Sequence, residues 1–565
     1  MTSRTGRCLL AYGRQSRLSP SNHRCPWFLP AEPGLVNDRS SRVTLNPTGN
    51  CLTTAATCAD TIFSTPRQTE YFISDLKTRT FKGSIVMGGA TIALRVLSIV
   101  SGVILARLLN PQDFGIVALA GVVLSTTSLF SGLGMNMAVV QSRLERGSVA
   151  FHGFVISSIS GIVLFLLVLA GADFFAHFLG SPSVVPVLRW MSLLVLLGSM
   201  ATVPEGLLQK DMLFGRQSIA VVASDIVNIG LSVGLAVAGF GLWSLVFGPL
   251  AKGVVYVALV WILAPGWDWL RPRPWDRKLT KSMLSFGSQT TGGGLVSFFY
   301  SIIDNLLVGR ILGTVALGLY AKAYDFSLRT VDGIINFIGV VLFPSYAQIQ
   351  EDKDRLARAY LKSLRFLSFF TVPIALGMFA TAPEMIAKLL GEKWIPMIVP
   401  FQVLTFVGVV KPLSGTTGAL FASTGHPSFN LRAGIIITLV LVPLILLFLH
   451  LGFGIVGVAA AVVISHVVGF GVNMVQLRYL LPGKSKDMVV ALIPALLCGG
   501  AMVAAVFLVK QPLLAWAGGR PTIGTLVSMV AVGAVVYGSL LLLIQRPLVT
   551  EVAGIAFKRF RSQEV

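Results

Sequence analysis

Charged and hydroxyl side chains recur at helical spacing inside an otherwise oily chain. Lys322, Asp325, Arg329 and Asp332 follow one another at intervals of three, four and three residues, and Asn336 comes four further on. That spacing puts them on one face of a helix. Their signs alternate, so neighbours can pair along the helix; the same residues would equally make a self-neutralised ladder that holds two helices together. Ser297, Ser301 and Asp304 form a second one-face set. Asp304 has no cation beside it in sequence. Arg310 could be its partner or an interface anchor, and Lys322 or Lys411 from another helix would also serve. Carboxylates in such places suit the uptake and release of a proton or cation, so Asp304, Asp325 and Asp332 are candidates for ion coupling.

The earlier part of the chain carries a matching set. Arg95 shares a stripe with Thr91, Ser98 and Gly102, Asp225 goes with Asn228 and Ser232, and Lys252 goes with Tyr256. Lys411 stands near one end of a later apolar run. Lys252 and Lys411 are long enough to snorkel toward water, whereas Arg95 is too central in its run for that. Basic groups around a cavity suit an anionic substrate, because guanidinium binds phosphate oxygens in a bidentate fork. Arg95, Lys252, Asp225, Lys322, Arg329 and Lys411 are therefore the candidate substrate-cavity residues, led by Arg95.

Other chemistries lack their residues. The cysteines (Cys8, Cys25, Cys51, Cys58, Cys498) show no CxxC spacing, the histidines show no HExxH, and there is no GxxxxGK[ST] phosphate loop. A metal site, a disulfide framework and direct use of ATP are not expected, and no cofactor is required.

These residues must be positioned by membrane helices. Of 565 residues, 54% are apolar and 12% charged, against about 25% charged in a soluble domain, and the mean hydropathy is +0.78. The expected fold class is an all-α polytopic membrane protein of about 14 transmembrane helices, arranged as two pseudo-symmetric six-helix lobes plus two C-terminal helices. Runs long enough to cross a ~30 Å hydrocarbon core begin with 84–108 and 116–140, continue through 283–309 and 316–345, and end with 522–545. The organisation read from these runs is a disordered N-terminal extension at 1–80, an N-lobe at 81–265 and a basic cytoplasmic linker at 266–282. A C-lobe at 283–480, two further spans at 481–545 and a cytoplasmic tail at 546–565 complete it. Basic residues crowd the loops after even-numbered spans, notably Arg271–Lys281 and Lys353–Arg365, which places those loops and both termini in the cytoplasm. The net charge of +21 is thus topology and tail; nucleic-acid binding would need basic residues interleaved with aromatics on a folded face.

The two halves repeat. At a constant offset of 203, Gly89 matches Gly292, Arg107 matches Arg310, Leu109 matches Leu312 and Gly115 matches Gly318. Gly239-Phe240-Gly241 recurs as Gly452-Phe453-Gly454. Parallel repeats imply a pseudo-two-fold axis along the membrane normal, with a substrate site between the halves.

The stretch ARLLNPQDFGIVALA closing the first span, the element Leu207-Leu208-Gln209-Lys210, and IIDNLLVGRILGTVALGLYAKAYDF across the seventh and eighth spans resemble the polysaccharide flippases of the MOP superfamily. The likeness is to the Wzx-type branch of lipopolysaccharide and exopolysaccharide biosynthesis, and it covers about 81–480. It implies a V-shaped, two-lobed transporter of the bacterial inner membrane that flips an undecaprenyl-diphosphate-linked oligosaccharide by alternating access, driven by a proton or sodium gradient. It also implies a cationic N-lobe cavity represented by Arg95 and Lys252, an acidic seventh-span position at Asp304, and a polysaccharide polymerase and co-polymerase as partners. Rival readings are a MATE-like drug antiporter, against which Arg95 counts, a lipid II flippase, and a polytopic enzyme, for which the external break at 383–395 is too short. If Arg95 contacts substrate, Arg95→Ala should reduce polysaccharide export while the amount of protein in the membrane stays unchanged, as read by immunoblot beside the export assay.

Overall fold

Every stretch that crosses lipid has to satisfy its own backbone hydrogen bonds, and here helices do so; among the described residues there is no strand. The computed structural model describes residues 94–142, 144–518 and 522–545, with backbone only at 293–294, 296–297, 329–330, 332–341 and 485–486. The readings of 1–80 and 546–565 therefore lie outside the described residues, as do Gly89 and the first ten residues of the 84–108 span.

The helices, in order, are α1 (94–108), α2 (Pro111–Gln141, bent near Gly132), α3 (Arg146–Ala170), α4 (Val184–Lys210), α5 (Phe214–Val237), α6 (Gly241–Leu263) and α7 (Arg277–Gln348). After these come α8 (Lys353–Leu390), α9 (Glu392–Ser423), α10 (Pro427–His450), α11 (Gly454–Leu480), α12 (Ser485–Trp516) and α13 (Ile523–Ile544). Twelve stretches among the described residues are long and apolar enough to span a membrane. The sequence count of fourteen is not reproduced as such. One expected span begins in residues that are not described, and 283–309 and 316–345 run as the two arms of α7. Only Gly313 (φ 84°, ψ 177°) leaves the helical region between those arms. A residue with a Cβ is strained there, so the break that the sequence spreads over six residues is concentrated at one.

A second difference is at 383–395. Sequence makes this an external break, but the helix runs on to Leu390 and turns only at Gly391. Glu384 is then inside α8, where Lys510 of α12 meets it at 2.7 Å, both side chains being largely buried. A buried carboxylate at that place is tolerable only with such a partner.

Lipid tails are as apolar as leucine, so packing in a bilayer relies on close fit. The tightest fit lies where α2 crosses α7. A Cβ on Gly115 would sit 1.7 Å from the carbonyl oxygen of Thr314, and one on Gly318 would sit 1.8 Å from that of Pro111. Residues 111 and 115 relate to 314 and 318 by the 203-residue offset, so repeat-equivalent positions touch one another reciprocally. The recurring Gly-Phe-Gly turns agree: Gly239, Gly241, Gly452 and Gly454 all have positive φ (86°, 53°, 80° and 54°). Around this crossing the largest core cluster draws on both halves, with Leu119, Leu188, Val308, Tyr320, Trp394 and Phe401 fully buried. Elsewhere α5 packs on α6, α10 on α11, and α12 on both α8 and α13.

Because the clash at Gly115 is with backbone, Gly115→Ala should force the two helices apart. It should lower the unfolding temperature of the purified protein by an overpacking cost of about 1–3 kcal/mol. An unchanged melt followed by size-exclusion chromatography would show that the contact is not needed.

Candidate functional site

The second arm of α7, after Gly313, carries Lys322 and Asp325 within a candidate membrane span. Lys322 is buried, with its Nζ 4.2 Å from the centre of the Phe114 ring and 5.6 Å from that of Phe326. A desolvated ammonium over an aromatic face is held by the ring quadrupole. Asp325, one turn on, is half-buried. Together these two residues line a pair of cavities. The smaller, of about 180 Å³, is walled by Ser98 and Gly102 of α1 and by Met378 and Met385 of α8. The larger, of about 440 Å³, is walled by Phe114 and Ser125 of α2, and by Asn305 and Tyr324 on either side of Gly313 in α7.

Asp304, on the first arm of α7 before Gly313, is 4% exposed. Its carboxylate accepts from the Tyr320 hydroxyl at 2.7 Å and from the backbone N–H of Asn305 at 2.8 Å. Neither Arg310 nor a lysine pairs with it among the described residues: a phenol fills that role and ties one arm of α7 to the other just beside Gly313. One turn before it, the Tyr300 hydroxyl lies 2.7 Å from His466 Nε2 on α11, and His466 Nδ1 lies 2.8 Å from the Val462 carbonyl. A carbonyl only accepts, so Nδ1 carries the proton and Nε2 accepts from Tyr300.

The remaining sequence candidates are dispersed. Asp225 and Lys252 are brought together as an ion pair at 2.5 Å between α5 and α6. Arg95 is exposed on α1, one and two turns from the Ser98 and Gly102 that line the smaller cavity. Lys411 is half-buried on α9, outside both cavities. Arg329 and Asp332 keep their place on the α7 face, but their side chains lie outside the described residues. Tyr320 and His466 had no motif to mark them. Their signal was position alone, Tyr320 two residues before Lys322 and His466 beside Ser465 inside an apolar run. Glu205 on α4 is a further omission; it accepts from Gln209 at 3.2 Å and from Gln217 at 3.0 Å.

The end of the bundle near Gly313 is closed by a reciprocal arrangement. Arg107 donates from Nε to the Leu389 carbonyl at 2.7 Å and from its terminal nitrogen to the Lys388 carbonyl, at the C-terminus of α8. Arg310 donates to the His177 carbonyl at 3.1 Å, at the end of the short helix Ala172–Leu179. Each repeat-related arginine thus reaches into the opposite half and donates to carbonyls at a helix C-terminus, where the dipole favours a cation. Lys393 and Trp394 return the favour to α1, donating at 2.8 Å each to the carbonyls of Leu109 and Ala106.

A family model described as polysaccharide biosynthesis protein matches residues 104–399. The chain belongs to that family. With twelve stretches among the described residues long and apolar enough to cross a bilayer, it is a multi-pass membrane protein. Among relatives, the Escherichia coli (strain K12) lipopolysaccharide biosynthesis protein WzxC is 23% identical over 66% of this chain and 75% of its own length. The succinoglycan biosynthesis transport protein ExoT of Rhizobium meliloti (strain 1021) is 27% identical over 56% of this chain and 63% of its own. Among solved structures, the lipid II flippase MurJ in an inward closed conformation superposes with a TM-score of 0.67 at 15% identity, covering 82% of this chain and all of that one. An inward-facing MATE family multidrug transporter of the MOP superfamily gives 0.56 at 17% identity, over 68% and 95%.

If the arginines hold the Gly313 end shut, Arg107→Ala with Arg310→Ala should expose the larger cavity there. A Ser125→Cys reporter should then be labelled several-fold faster by an impermeant maleimide applied from the side opposite the basic loops. Unchanged labelling would mean that the closure does not depend on them.

Proposed function

We propose that this protein is a flippase of the MOP superfamily that carries an undecaprenyl-diphosphate-linked oligosaccharide from the cytoplasmic to the periplasmic leaflet of the bacterial inner membrane, by alternating access coupled to a proton or sodium gradient. The observation that supports it most is the placement of Lys322 and Asp325. They stand at membrane depth on the seam where α1, α2, α7 and α8 converge, and one cation is offered to two cavities. An ion there costs about 2.5–3.5 kcal/mol to insert, a cost that transport of a charged headgroup accounts for.

In this reading Lys322 neutralises a phosphate oxygen, with the Phe114 ring against its ammonium. Arg95, at the mouth beside Ser98, and Arg329, further along the same face, extend the cationic lining. Lys252 serves the cavity only when released from Asp225. Lys411 is a more distant candidate. Asp304 is the coupling carboxylate. When it takes up a proton or a sodium ion, its bond to Tyr320 changes, and with it the tie between the arms of α7 two residues from Lys322. Tyr300 and His466 offer a route for the proton, and Asp325 and Asp332 are secondary coupling candidates. Both termini face the cytoplasm, and a polymerase and co-polymerase receive the product.

The test is a deletion strain in which the lipid-linked sugar pool is analysed beside surface polysaccharide. Loss of surface polymer with internal accumulation of undecaprenyl-linked units is expected, and Lys322→Gln should reproduce it at unchanged membrane level. Intact polysaccharide with altered drug tolerance would move the protein to an antiporter role, and accumulation of lipid II would move it to the peptidoglycan precursor.

A further inference from the structure

A third cavity, of about 530 Å³, lies on the basic-loop side of the molecule, away from Lys322 and Asp325. It is lined by Trp275, by Arg277, Thr280, Lys281, Leu284, Ser285 and Ser288, and by Leu133 at the bend of α2. Apart from Trp275 and Leu133, these residues form one face of the first three turns of α7, spaced three and four apart.

The charges there are not cancelled. Asp276 spends its carboxylate on the backbone N–H groups of Lys278 and Leu279, at 2.8 and 3.3 Å. Glu145 is committed to Arg273 and to the Ser148 hydroxyl; the Ser148 bond first, and Arg273 after it, hold its carboxyl below the ordinary carboxylate range, so it stays ionised in that pairing. Arg277 and Lys281 make no ion pair among the described residues. The surround is also fixed in place. His152, 1% exposed, accepts from the Asp276 backbone N–H at 2.9 Å, and its ring lies 4.8 Å from that of Trp275. Thr280 and Ser288 donate to the carbonyls of Asp276 and Ser285, leaving their oxygen lone pairs turned outward as acceptors. Leu284 stands five helical turns before Ile302, which lines the larger cavity, so both cavities open on the same face of α7.

We propose that this cavity binds the phosphate-bearing headgroup of a lipid in the leaflet on the basic-loop side. Arg277 and Lys281 hold the phosphate oxygens, Thr280, Ser285 and Ser288 meet the adjoining hydroxyls, and Trp275 and Leu284 face the apolar boundary where tryptophan anchors are favoured. The phosphate belongs either to the transported prenyl diphosphate, in which case the proposal rests on the function above, or to an anionic phospholipid, in which case it stands without it.

The experiment is native mass spectrometry of the purified full-length protein in detergent, titrated separately with undecaprenyl diphosphate and with phosphatidylglycerol. Arg277→Ala with Lys281→Ala should weaken retention by about 30-fold at low salt, two basic residues' worth of attraction, and the loss should shrink as ionic strength rises. Lys278→Ala, which removes one basic charge just off the cavity face, should bind as wild type does. Weakening confined to the prenyl diphosphate makes the cavity a capture site for the cargo; weakening of both lipids makes it a general anionic-lipid site. Retention of both lipids at wild-type strength, or an equal loss in Lys278→Ala, would overturn the proposal. A thermal melt of each variant separates loss of the site from loss of the fold.

Discussion

The backbone contact between Gly115 and Gly318 is the constraint on which the polar interior depends. With no solvent-driven force between helices in lipid, the depth of approach of α2 to α7 is set by how closely two main chains can come. Here each glycine leaves the opposite carbonyl in the space a methyl group would take. Phe114 precedes one glycine and Lys322 lies one turn after the other, so the same contact delivers the ring to the ammonium at 4.2 Å. Trp394, whose ring centre is 5.4 Å from that of Phe114, packs edge-on against that ring. A wider crossing would leave Lys322 buried without its ring.

The hinge at Gly313 gives that arrangement two arms. Asp304 on one and Tyr320 on the other meet across it at 2.7 Å, and their bond links the two arms. A carboxylate whose side-chain partner is a neutral phenol can change its occupant without breaking a salt bridge, which would cost several kcal/mol. That makes it a low-cost place for a cation to act on the geometry around Lys322. By contrast, the charges of Glu384 and Lys510 are spent on each other at 2.7 Å and hold α12, with α13 packed on it, against α8. The first pair sits beside a hinge, and the second joins two long uninterrupted helices.

The repeat shows in pairwise detail. Arg107 and Arg310 are equivalent in sequence and do equivalent work in space, each ending a helix of the opposite half. Mutual capping of this kind closes one end of the bundle with exposed, charge-assisted hydrogen bonds. Such bonds can be exchanged for water at small net cost, unlike the packed glycine crossing below them.

Composition and run length together determined that the chain crosses a membrane as helices: continuous apolar runs of about 20 residues suit a helix, whereas a closed β-barrel, which also satisfies its backbone in lipid, alternates apolar and polar residues. Motif residues such as Asn110-Pro111 and Gly309-Arg310 carried the family, and the one-face spacing of Lys322 and Asp325 located the main cavity-lining pair, since helical periodicity is a local property. What the tertiary structure decided is who meets whom. Asp304 met Tyr320 instead of a cation, Lys252 was taken up by Asp225, and Glu384 went into a helix. Tyr300 and His466 are 166 residues apart in sequence yet share a hydrogen bond. Pairings of that kind depend on helix crossing angles and rotations fixed by contacts between distant segments. A linear pattern states which face a residue occupies but not what the neighbouring helix places opposite it.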